Sequence, residues 1–191
     1  RIWLITPQGI NLHSEQSFTN QIPDAYSYNP GFLPDGSKFL HYDPRKVSWF
    51  FDFDRCNGVL SNPNKLVLPI CWEYSTEPTF SPNGRFLYMS NSYELFQVDL
   101  WNPDTLTNRD TIAIWDGLIW PGPMFGPTNY LFMQTGPDGK IYVTPIWGSR
   151  LFHVIERPNE KGKACQFRQR VYKTPFYGQG NLPNFPYYRL G

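Results

Sequence analysis

The sequence predicts an all-β protein, a β-propeller fragment of about three and a half four-stranded antiparallel blades. Three observations carry this. A short apolar run, Pro-Asp/Asn-Gly and a second apolar run recur as GFLPDGSKFLHY from Gly31, TFSPNGRFLYMS from Thr79 and MQTGPDGKIYVT from Met133. Their prolines, Pro34, Pro82 and Pro137, lie 48 and 55 residues apart, a spacing suited to propeller blades with long loops. Helical periodicity is absent, and 19 Pro and 15 Gly punctuate the 191 residues too often for long helices.

The elements follow in order. Pro presets φ at the first central position of a tight turn, Asp or Asn takes the next, and Gly accepts the positive φ that closes the hairpin. A strand-like run follows each turn: Lys38 to Tyr42, Arg85 to Ser90 and Lys140 to Thr144. Next come VSWFFDFD, YELFQVDL and SRLFHVIE, which alternate or nearly so; in the second, Leu95, Gln97 and Asp99 oppose Phe96, Val98 and Leu100, the period of two expected of a strand. Polar loops DRCNGVLSNPN, WNPDTLTNRD and RPNEKGKACQ then lead to the outer strands NKLVLPI, DTIAIW and FRQRVYK. Four such strands make a sheet that cannot bury both faces alone. Radial stacking lets neighbouring sheets bury each other's aromatics, which make up 18% of this otherwise hydrophilic chain. A β-sandwich also uses many short strands, but it does not need a repeated turn signature.

The repeat divides the chain into one propeller domain with residues 1–27 as the end of a blade, 28–72, 73–116 and 117–175 as blades, and 176–191 as the start of the next. An arc of this size leaves faces and edges uncovered, so the expected partner is the remainder of the propeller or another chain that completes it. A net charge of +1 from 17 basic and 16 acidic residues gives no electrostatic case for nucleic acid. No apolar run is long enough for a transmembrane segment. The stretch from Lys161 to Lys173 is rich in Lys and Arg without an acid, and reads as a solvated outer edge. Cys56, Cys71 and Cys165 are an odd set without zinc-site spacing; Cys56 and Cys71 fall at opposite ends of an outer strand, beyond disulfide reach. At least one is expected to pair elsewhere or stay reduced.

No nucleophile elbow, zinc-protease or phosphate-loop motif occurs, and neither a catalytic residue nor a cofactor is assigned. His13, His41 and His153 fall at unrelated strand positions, and the latter two read as packed side chains. Asp52 and Asp54 share a strand face and are the candidates for a metal, with the capping of turn amides as the competing role. The turn aspartates read as structural, because Asn83 replaces Asp in one copy. Trp115, Trp120, Tyr130 and Trp147 lie near interblade segments, and the insertion DGLIWPGPMFGP places Trp120, Met124 and Phe125 as a candidate binding surface if they are exposed together.

The ordered segments FDFDRCNGVLSNP, FSPNGRFLYMSNS, GPDGKIYVTP, VIERPNEKGKACQF and GNLPNFPYYRLG resemble the WD-repeat-like propeller regions of large Bacteroidetes cell-surface proteins. Those proteins are often labelled gliding-motility-associated or carry a C-terminal type IX secretion sorting domain. The resemblance implies an exported product at the outer-membrane surface or outside the cell, with a surface protein or glycan as partner. It also implies O-glycosylation at Thr105 and Thr111, in Asp104-Thr105-Leu106 and Asp110-Thr111-Ile112. The favoured function is a noncatalytic extracellular propeller acting as scaffold, adhesion or protein-interaction module. The alternative is a carbohydrate-binding propeller, or a propeller-type hydrolase or lyase with its site at the central channel.

Overall fold

The computed structural model describes residues 1–18, 30–43, 47–66, 77–102, 109–121, 126–145 and 149–178, with side chains up to 175. Within them the chain is β throughout apart from one 3-10 turn, Gly162–Cys165. Strands β1 (Ile2–Thr6) and β2 (Gly9–Ser14) form a two-stranded hairpin. Sheet 1 follows as β3 (Gly31–Phe32), β4 (Lys38–His41), β5 (Ser48–Asp54) and β6 (Val59–Leu66). Sheet 2 comprises β7 (Thr79–Phe80), β8 (Phe86–Ser90), β9 (Glu94–Asp99) and β10 (Arg109–Ile114). A small hairpin, β11 (Ile119–Trp120) with β12 (Gly126–Pro127), precedes sheet 3, which is β13 (Phe132–Thr135), β14 (Ile141–Thr144), β15 (Ser149–Ile155) and β16 (Phe167–Gly178). Each of the three sheets is an antiparallel meander whose strands neighbour one another in chain order.

The repeated turn has one geometry in all three copies. The N–H of Gly36, Gly84 and Gly139 donates to the carbonyl of Leu33, Ser81 and Gly136 at 2.8, 2.8 and 3.0 Å. These glycines have φ of 70°, 72° and 77°, a region closed to most side chains. An oxygen of Asp35, Asn83 or Asp138 accepts the backbone N–H two residues on, at 2.9, 3.1 and 3.2 Å. The amide of Asn83 thus does what the two carboxylates do, as the substitution in the sequence implies.

Two apolar clusters hold the sheets together. Between sheets 1 and 2 lie Leu33, Leu40, Tyr42 and Leu66 against Phe80, Leu87, Met89 and Phe96. Between sheets 2 and 3 lie Phe86, Tyr88 and Leu95 against Tyr130, Met133, Ile141, Val143 and Ile155. Because side chains alternate along β8, its odd and even residues enter different clusters, and all five residues of the strand are buried. Sheet 2 is therefore covered on both faces.

Two expectations change. DRCNGVLSNPN is not a long loop: Arg55–Gly58 is a tight turn and β6 starts at Val59, ahead of the expected NKLVLPI. Asp54 gathers the N–H groups of Cys56 and Asn57 at 2.8 and 3.2 Å, and Gly58 takes φ of 61°, which reverses the chain within four residues. The basic stretch is not simply a solvated edge either. Arg168 pairs with Glu156 at 3.1 Å and Arg170 with Asp116 at 2.6 Å, while Lys163 lies in the 3-10 turn.

Candidate functional site

Chemistry-bearing side chains gather at the end of the sheets that carries the repeated turns. In each sheet a basic residue just past the turn meets a carboxylate near the end of the third strand. The pairs are Lys38 with Asp52, Arg85 with Asp99 and Lys140 with Glu156. Arg85 binds Asp99 through two parallel contacts of 3.0 and 2.8 Å, the geometry a guanidinium favours. Hydrogen bonds from their basic partners hold the carboxyls of Asp52, Asp99 and Glu156 below their usual range.

This places the two sequence-selected carboxylates. Asp52 is engaged by Lys38 and by the Asn62 amide at 2.8 Å. Asp54 accepts the side-chain amide of Asn57 at 2.7 Å as well as the two turn N–H groups, and these bonds lower its pKa. Their side chains serve different partners, and among the described residues no three His, Cys, Asp or Glu side chains converge as metal ligands.

A cleft of about 490 Å³ opens between the turns of sheets 2 and 3. Pro82 and Asn83 form one wall, Asp138 and Gly139 another, and the segment from Glu156 to Glu160 closes it. The matching junction between sheets 1 and 2 is plugged: a Cβ on Gly84 would meet Leu33 Cδ2 at 2.9 Å. A Cβ on Gly139 would find only Pro82 Cγ, at 4.0 Å. Ser81 stands where Leu33 does in the first repeat, and its hydroxyl turns to Asn83 Oδ1 at 2.7 Å instead of filling the gap. The cleft follows from that exchange.

The insertion ahead of sheet 3 is anchored rather than free. Arg170, held at φ of 53°, grips Asp116 through both oxygens at 3.1 and 2.6 Å and sits 3.5 Å from the Thr128 hydroxyl. Trp115 Nε1 donates to the same hydroxyl at 3.4 Å. Lys173 lies 5.8 Å from the Trp120 ring centroid. Trp120 is half-buried and its Nε1 is shielded without a hydrogen-bond acceptor among the described residues. Met124 and Phe125, its expected companions, lie outside the described residues, as do Trp147, Cys71 and Thr105. Thr111 is exposed on β10, opposite Phe96.

Beneath this anchor sits a buried polar pair. His153 and Tyr130 are inaccessible to solvent and meet edge to face at 5.2 Å. Burial, reinforced by Arg170, pushes the His153 pKa down to about 3, and burial pushes that of Tyr130 up to about 12. His153 is thus neutral, with Nδ1 accepting the Arg170 N–H at 3.3 Å. Both it and the half-buried His41 are packing residues, as the sequence pattern suggests.

One network was not foreseen. The Gln97 amide, buried in sheet 2, donates to Tyr88 Oη at 2.6 Å and to the Glu160 carbonyl at 2.7 Å, and its oxygen accepts the Gly162 N–H at 2.7 Å. Tyr88 Oη donates to the Pro158 carbonyl at 2.9 Å. Two side chains of sheet 2 therefore fix the loop of sheet 3 that walls the cleft. The sequence held one hint, a Gln at the centre of an apolar strand. Cys165 ends this loop as a buried free thiol whose pKa burial raises, while Cys56 is free and exposed.

No family model matches the chain, and no curated protein matches it. Among solved structures it is similar to the PQQ domain of pyranose dehydrogenase from Coprinopsis cinerea in its holo form, with a TM-score of 0.52 and 10% identity over 80% of this chain and 44% of that one. It is also similar to a candidate 6-phosphogluconolactonase from Bacteroides uniformis, with a TM-score of 0.53 and 17% identity over 97% of this chain and 54% of that one. The chain spans about half the length of each. The likeness concerns the fold alone: the chain is all-β, and its four-stranded antiparallel sheets among the described residues match the β-propeller fold over most of the chain.

Proposed function

We propose that the chain is an arc of a noncatalytic extracellular propeller that serves as a scaffold, adhesion or protein-interaction module of a bacterial surface protein. The kind is that of the Bacteroidetes gliding-motility-associated or type IX-secreted proteins, whose propeller segments its sequence resembles. The remainder of the propeller, or a chain that supplies it, is the first partner. The supporting observation is the use made of the acidic groups: Asp52, Asp54, Asp99, Asp116 and Glu156 each bind a neighbouring side chain of the fold. Such a set builds a rigid platform and leaves specificity to surface contacts. Antibody against the 191-residue chain should label intact cells of the source bacterium, and brief external proteolysis should erase the label. Label that appears only after permeabilisation overturns the surface assignment.

The cleft favours a second reading, a carbohydrate-binding propeller. Its walls offer amides and carboxylates from Asn83, Asn159 and Glu160 over two prolines, groups that match sugar hydroxyls. The solved propellers named above are described as a pyranose dehydrogenase and a 6-phosphogluconolactonase, which makes saccharides the first ligands to try. Binding on a glycan array that Asn159→Ala abolishes would support this reading, and binding lost only with Trp120→Ala would move the site to the insertion. An array without signal counts against both sites.

A further inference from the structure

The antiparallel register of the first hairpin sets Trp3 opposite Leu12 and Ile5 opposite Ile10, so the four side chains share one face. They are exposed by 54, 48, 78 and 67% respectively. The other face carries Leu4, itself 51% exposed, and among the described residues meets sheet 1 only at its Ile2 and His13 end. His13 Nε2 lies 3.0 Å from the Asn57 carbonyl, and His13 and Ile2 both border Gly58. Just past β2, the Gln16 side chain accepts the Leu60 N–H at 2.9 Å and donates to the Leu60 carbonyl at 3.2 Å. The hairpin thus touches the turn and outer strand of sheet 1, while Trp3, Ile5, Ile10 and Leu12 stay exposed together. Strands β5, β9 and β15, third in their sheets, each pair on both sides, whereas β1 pairs only with β2 among the described residues.

We infer that this face and the open edge of β1 are the seam on which the remaining arc of the propeller docks. One strand pairs along Ile2–Thr6, and the adjoining sheet covers Trp3, Ile5, Ile10 and Leu12. The inference rests on the propeller-arc part of the reading above and names the surface involved. The occupant is a propeller sheet for three reasons. The covered faces in this stack meet neighbouring sheets. The chain spans only 44 and 54% of the propellers it matches. A lone two-stranded hairpin is marginal in water, and a contiguous apolar face marks an interaction site.

Hydroxyl-radical footprinting read by mass spectrometry tests the seam on the polypeptide isolated from its source and on the separately expressed 191-residue chain. Trp3 and Leu12 should oxidise at least about fivefold more slowly in the source polypeptide, with Trp101, 64% exposed outside the seam, as the unchanged reference. Equal rates overturn the inference. So does a dimer of the 191-residue chain that protects Trp3 and is dispersed by Ile5→Lys, because the occupant is then a second copy. Protection of Trp3 together with failed labelling of intact cells keeps the seam and removes the surface-module reading.

Discussion

Lowering the pH from 7 to 5 should loosen the protein through His153, and the size of the effect follows from the position of the ring. The imidazole stacks on Phe167 at 5.8 Å, meets Tyr130 edge-on and accepts a backbone hydrogen bond from Arg170. Burial and the Arg170 guanidinium bring its pKa to about 3, against ~6.5 in an unfolded chain. Between those values the unfolded state holds a proton that the folded state lacks. The stability contributed by neutral His153 is therefore complete above about pH 6.5 and falls as the pH drops toward 3. At pH 5 the loss is about 2 kcal/mol, from ~1.4 kcal/mol per pH unit over ~1.5 units, or about 4–8 °C in melting temperature. The carboxyls of Asp99, Asp116 and Glu156 have lowered pKa values, so their contributions are lost further down, below about pH 4. His41, whose pKa burial also lowers, adds loss of the same sign, so the informative comparison is with His153→Phe. That variant should melt lower at pH 7 if the Arg170 contact matters, but its drop between pH 7 and 5 should be smaller than that of the wild type. Equal drops, or a folded-state His153 resonance titrating near 6.5, would refute the argument.

Three further outcomes follow. Gly84→Ala should destabilise more than Gly139→Ala in denaturant titrations: both incur the left-handed backbone cost of about 1 kcal/mol, but only the first drives a Cβ to within 2.9 Å of Leu33. Gln97→Leu should cost about 1–3 kcal/mol by stranding the loop polar groups, and should speed maleimide labelling of Cys165 in a Cys56→Ser, Cys71→Ser background that removes the exposed thiol of Cys56; an unchanged rate would mean that the loop is held by other contacts. Asp52→Asn tests the metal reading: a calcium-dependent rise in the wild-type melting temperature that this variant loses would support a cation at Asp52, and no response in either protein would count against it.

The turns were legible in the sequence because their geometry depends on neighbouring residues alone: Gly36, Gly84 and Gly139 need positive φ, and the preceding Asx residues supply the local bond. Asp54 was half legible. Its position beside a polar run suggests a capping role, but the shortness of the turn depends on Gly58 and on Asn57 reaching back, which a run of polar residues conceals. Long-range partnerships left no mark. Asp116 and Arg170 are separated by 54 positions, and nothing near either residue names the other. The cleft was equally hidden, because it exists only through the difference between Leu33 and Ser81 at like positions in two turns.

The two junctions between sheets are not equivalent in kind. The first is sealed by hydrocarbon and aromatic side chains, whereas the second carries Gln97 and Tyr88 within its contact, with neutral His153 packed against Tyr130 beside it. In a stack where each sheet is held mainly by its neighbours, strength adds junction by junction. Because His153 is fully buried and His41, on sheet 1, only half-buried, acid weakens the region around the second junction more than it weakens sheet 1. Mild acidification is thus expected to part sheet 3 from a still-joined pair of sheets, opening the molecule at the cleft before the core between sheets 1 and 2 gives way.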